Sequence, residues 1–137
     1  MKQIALAIML VMGVYQVSFA HEGHDKTPGA IVDPNPEIPG TVKITNQLYV
    51  KMVNESAGIK VYLFTHESIS VPLKELTLQG SVTFPKKTKA ESVKFTEAGN
   101  YFSAKVDAKG SYRYTLDLTI TYKGKKEKVN FQIEPQG

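Results

Sequence analysis

Residues 112–122 read YRYTLDLTITY. Tyr112, Tyr114, Leu116, Leu118, Ile120 and Tyr122 share one parity, and Arg113, Thr115, Asp117, Thr119 and Thr121 the other. Successive side chains of an extended chain point to opposite faces, so this spacing predicts a strand with one apolar face and excludes an amphipathic helix. Lys123-Gly124 follows, and glycine tolerates the positive φ that a two-residue hairpin turn needs. Beyond it, residues 126–134 put Val129, Phe131 and Ile133 on one side. The two runs predict a C-terminal hairpin.

The same period extends upstream. Leu76, Leu78, Val82 and Phe84 alternate with Thr77, Gln79, Ser81 and Thr83, and Pro85 ends the run. Gly80 falls on the apolar face, where a glycine marks a bulge or a close approach. Val93 and Phe95 point inward from residues 92–96, and Phe102, Ala104 and Val106 from residues 101–106. Residues 59–64 are apolar on both faces, as in a central strand. Residues 41–53 form one long strand or two shorter ones. About seven short strands separated by turns, with no helix after residue 20, predict an all-β, immunoglobulin-like antiparallel β-sandwich over residues 41–137. A small barrel is the alternative closure. Lys109-Gly110-Ser111-Tyr112 fits a tyrosine corner, whose hydroxyl bonds back to the main chain; a plain core aromatic is the other reading of Tyr112.

Residues 1–20 do not belong to that pattern. Lys2 is followed by an apolar run over residues 4–17 and then Ser18-Phe19-Ala20. This is the pattern of a secretory signal peptide cleaved after Ala20, and the run is shorter than the ~20 residues of a membrane helix. The mature chain is then expected to be periplasmic or secreted, without membrane insertion. The chain has no cysteine. An exported domain of this kind depends on its apolar core, and thiolate sites and redox pairs are excluded. Removing residues 1–20 takes away one of 17 basic residues and none of 13 acidic ones, leaving a net charge of +3. With Arg113 as its single arginine, a nucleic-acid surface is not expected. Residues 21–40, HEGHDKTPGAIVDPNPEIPG, contain four prolines and three glycines and read as a flexible linker.

Three stretches together carry a resemblance: GIKVYLFTHESISVPLKELTLQGSVTF (residues 58–84), GNYFSAKVDAKGSYRYTLDLTI (99–120) and YKGKKEKVNFQIEP (122–135). The chain resembles small Ig-like periplasmic proteins that accompany bacterial heavy-metal efflux systems. That resemblance implies a metal-handling accessory, with an envelope or efflux-system protein as partner. A His-rich start such as His21-Glu22-Gly23-His24-Asp25 is a habit of the group.

The chemistry of that start supports a metal ion independently. Cleavage after Ala20 would leave the α-amine of His21 free, and the amine and imidazole together form a chelate. His24 adds an imidazole, and Glu22 or Asp25 a carboxylate. Nitrogen-rich ligands of this type suit copper, zinc or nickel. His66, in the loop after a strand, is the remaining histidine. It reads as a surface residue, though a copper-brace oxidase would require it beside His21. No nucleophile elbow, metalloprotease helix, phosphate loop or nucleotide fingerprint occurs, so no enzyme is expected. The other reading is an Ig-like interaction or scaffold module of the envelope with no metal role, in which tyrosines such as Tyr49, Tyr62, Tyr101, Tyr114 and Tyr122 line a carbohydrate or protein surface.

Overall fold

The computed structural model describes residues 32–87 and 89–135. In chain order the strands are β1 (Thr41–Ile44), β2 (Leu48–Glu55), β3 (Gly58–Thr65), β4 (Leu76–Thr83), β5 (Glu91–Val93), β6 (Thr96–Ala98), β7 (Tyr101–Ala104), β8 (Tyr114–Tyr122) and β9 (Lys125–Ile133), with one 3-10 turn at Leu73–Glu75. They form two antiparallel sheets rather than one closed barrel. The first has the order β1-β2-β3-β7-β6 and the second β5-β4-β8-β9. No described helix is long and apolar enough to cross a membrane.

The alternation in β8 does what its period demands. Tyr114, Leu116, Leu118, Ile120 and Tyr122 are buried, and the residues between them lie on the other face. They meet Leu48, Val50 and Met52 of β2, Ile59, Val61 and Leu63 of β3, Phe102 of β7, and Phe131 and Ile133 of β9 in one core cluster. The β8–β9 hairpin closes through Lys123 and Gly124, at φ 52° and 78°. Positive φ at both central residues is the turn whose twist matches that of the flanking strands.

Three sequence expectations change. Nine strands replace about seven, partly because the run at residues 92–96 is cut. β5 pairs with β4 in the second sheet, β6 pairs with β7 in the first, and Lys94 and Phe95 cross between them. The strand expected from Tyr112 begins at Tyr114, whose partner is Ile133. Lys109 and Gly110 both take left-handed φ, and the Ser111 N–H donates to the Ala108 carbonyl at 2.9 Å, so the chain joins the ladder only after this turn. Tyr112 is left 71% exposed, which rules out the tyrosine corner. Finally, the folded unit starts at Asp33, so residues 33–40 of the expected linker belong to it.

Candidate functional site

β2 reads LYVKMVNE, and its first six residues are all buried. Leu48, Val50 and Met52 face the core described above. Tyr49, Lys51 and Val53 therefore point out of the sandwich, and something else has to cover them. Across the ladder, Lys51 pairs with Tyr62 and Tyr49 with Phe64, which places these aromatics on the same outer face. Tyr62 lies parallel to Phe64 at 6.5 Å and tilts against Tyr101 at 5.1 Å. Ile38 and Val42 pack onto this second cluster.

Lys51 sits in the middle of the aromatic face with none of its side chain exposed. A buried ammonium needs partners for its three protons. It donates to Asp33 Oδ1 at 2.9 Å and Oδ2 at 3.0 Å, to the Asn35 carbonyl at 2.5 Å, and to the Ile38 carbonyl. Asp33, Asn35 and Ile38 each immediately precede a proline: Pro34, Pro36 and Pro39. Residues before proline are biased to extended backbone, and proline supplies no N–H. The segment thus cannot add a strand to the sheet, but its carbonyls are free to converge on a cation. Asp33 is further fixed by accepting the Asn35 N–H at 2.9 Å, and the Ile38 N–H closes a turn onto Asn35 O at 3.1 Å.

The electrostatics follow this geometry. Burial would raise the Asp33 carboxyl, but the Lys51 hydrogen bond, the Asn35 N–H and the Lys51 charge together hold it below the usual carboxylate value. Burial pushes the Tyr62 phenol up. At the rim, Lys60 is raised by its contact with Glu55 at 3.2 Å and lies 5.0 Å from the Tyr101 ring centre. The aromatic face is therefore a sealed surface. Of the tyrosines considered as a binding surface, Tyr49, Tyr62, Tyr114 and Tyr122 are buried and Tyr101 is half-buried.

The metal-ligand candidates divide. His21, Glu22, His24 and Asp25 lie outside the described residues. His66 lies in the loop after β3, exposed, with its ring tilted against Tyr49 at 5.3 Å. Its Nε2 is 3.1 Å from the Thr45 carbonyl, which can only accept, so Nδ1 is the nitrogen open to a metal ion. Glu127 lines the same shallow depression as His66, between Lys126 and Lys128. Among the described residues, no three His, Asp or Glu side chains come together as a metal site.

Sequence reasoning missed the Lys51 clamp. Its signal was there in two parts: one lysine inside a strand apolar on both faces, and the spaced prolines of DPNPEIP. No family model matches the chain, and neither does any curated protein or solved structure.

Proposed function

We propose that this chain is an exported, non-enzymatic metal-handling accessory protein: an immunoglobulin-like domain that carries a transition-metal-binding amino-terminal segment. The observation that carries the reading is the pattern His21-Glu22-Gly23-His24-Asp25 directly after a signal-peptide pattern ending at Ala20. An amine, two imidazoles and carboxylates form a nitrogen-rich set suited to copper, zinc or nickel. The clamp at Asp33 adds a mechanical argument. It fixes residues 33–38 on the first sheet, and Asp33 stands nine residues along the chain from His24. A tethered ligand set of this kind suits handing an ion to an envelope or efflux-system partner.

The immunoglobulin-like part of the reading is supported by strand order. With β2 as strand A, the first sheet reads A-B-E-D with β1 beside A. The second then reads G-F-C-C′, the Greek-key arrangement of such domains.

The test is a titration of the chain beginning at His21 with Cu(II), Zn(II) and Ni(II). Changing His21 and His24 to Ala should abolish the tight phase, and His66→Ala should leave it intact. Affinity should also fall as the pH drops through the imidazole range near ~6.5, because both rings must be neutral to bind. Equal affinity with and without His21 and His24 would overturn the reading.

A further inference from the structure

A second site stands at the end of the second sheet, independent of the histidines. β4 ends at Thr83, and the chain turns at once: the Lys87 N–H donates to the Phe84 carbonyl at 3.1 Å, with Lys86 at φ 67°. Facing this turn is the one before β8, where Lys109 and Gly110 take left-handed φ and the Lys109 N–H is capped by Asp107 Oδ1 at 2.9 Å. Between the two turns lies a cleft of about 420 Å³. That is within the ~300–1,000 Å³ of small-molecule sites.

The buried ring of Phe84 belongs to the cleft lining, and Lys109 arches over it, 5.6 Å from the ring centre. The Lys109 ammonium is held by both Glu91 oxygens at 2.8 and 2.9 Å. Lys86 and Lys87 line the cleft too, and among the described residues neither pairs with a carboxylate. Tyr112 completes the lining as an exposed residue, and the Arg113 guanidinium sits 5.3 Å from its ring's centre. Three lysines thus line the cleft and Arg113 flanks it at Tyr112; of the two nearby carboxylates, Glu91 holds the Lys109 ammonium and Asp107 accepts the Lys109 backbone N–H. Two of the cleft lysines, Lys86 and Lys109, take a backbone conformation that glycine would adopt without strain.

We infer that this cleft binds an anionic saccharide, a sugar ring bearing sulfate, phosphate or carboxylate. A ring with its C–H face on Tyr112 uses the exposed aromatic, and the acidic group meets Lys86 and Lys87 through charge-assisted hydrogen bonds. A neutral sugar would leave the lysines unused, and a bare inorganic anion would leave the tyrosine unused. A single-stranded nucleic acid also combines stacking with cations. It needs a series of rings along a groove, and this cleft offers one exposed ring.

The experiment is calorimetric titration of the full chain at low salt. The probes are a sulfated heparin-derived oligosaccharide, an oligogalacturonate, a neutral dextran oligomer and an oligothymidylate. The sulfated or the carboxylated sugar should bind, and which of them binds identifies the acidic group. Tyr112→Ala and the pair K86G/K87A should each weaken that binding by about tenfold or more. Lys86→Gly removes the positive-φ strain, so this variant keeps its fold, and its thermal midpoint should not drop. A control pair on the outer edge of β9, K126A/K128A, removes the same charge elsewhere and should bind as the parent does. The inference is overturned if no acidic sugar binds, if dextran or oligothymidylate binds as tightly, if either cleft variant binds normally, or if the control pair loses as much.

Discussion

Lys51 is the residue that decides how the amino-terminal side of this domain is built. Its ammonium is out of water, yet four oxygens of residues 33–38 surround it. Removing one partner of a buried ion pair typically costs ~3–5 kcal/mol, because the groups left behind are desolvated. Lys51→Ala leaves no buried charge behind, but it opens a cavity under the aromatic face and orphans the Asn35 and Ile38 carbonyls, so it should lower the unfolding free energy by ~2–5 kcal/mol in urea titrations. Asp33→Asn instead leaves the buried ammonium beside a neutral amide, with the two carbonyls still in place. Because 38% of the Asp33 side chain is exposed and its charge is partly screened, that change should cost ~1–3 kcal/mol at neutral pH, less than breaking a fully buried pair. The two variants also differ in pH dependence. The folded state holds the Asp33 carboxyl below its ordinary value, so the stabilisation is fully present above the unfolded pKa of ~3.9 and is lost as pH falls through the lower folded value. The gap between parent and Asp33→Asn should thus close in the acid range below pH ~4. A gap that stays constant with pH would show that the ion pair is not its origin.

At the scale of elements, the crossing from β5 to β6 depends on a missing side chain. Phe95 leaves the second sheet and lies over Gly80 of β4, where an added Cβ would come within 2.6 Å of the ring and 3.2 Å of Leu118. Gly80→Ala should destabilise the fold by ~1–3 kcal/mol, the usual effect of overfilling a packed region. In a Phe95→Leu background the added methyl meets a smaller, more pliable neighbour, so the penalty should shrink; a double-mutant cycle measures the coupling. Additive effects would mean that Phe95 does not pack on Gly80 in solution. The β8–β9 hairpin has no such dependence. Its nine-pair register and its two-residue turn are both local consequences of the sequence around Lys123-Gly124.

From Asp33 onward, the described residues form two sheets around one core plus a second, smaller cluster outside the first sheet, roofed by residues 33–40. That roof is as much a part of the fold as any strand. A chain beginning at Thr41 would uncover Tyr49, Val53, Tyr62 and Phe64 and strand the Lys51 ammonium against them. Compared with a chain beginning at Asp33, it should lose ~3–5 kcal/mol of stability and self-associate through the bared aromatic face. Denaturant unfolding and sedimentation of the two chains measure both effects. Equal stability would show that the proline-rich stretch is only a tether.

Some of this was legible in the amino acids alone. The alternation in residues 114–122 and 129–133, the turn at Lys123-Gly124 and the doubly apolar β3 are short-range. Side-chain parity and backbone sterics act between neighbouring residues, and no partner need be known. His21 and His24 are proposed as metal ligands from residue type alone and lie outside the described residues. The cover on the outer face of β2 was not legible. Asp33 and Lys51 are 18 residues apart, and a lone lysine in a strand reads as solvated until its neighbours are known. The exposure of Tyr112 and the break between β5 and β6 were hidden for the same reason. Local sterics determine that a segment is extended and which side chains share a face; which surface then lies on that face depends on the path of the whole chain.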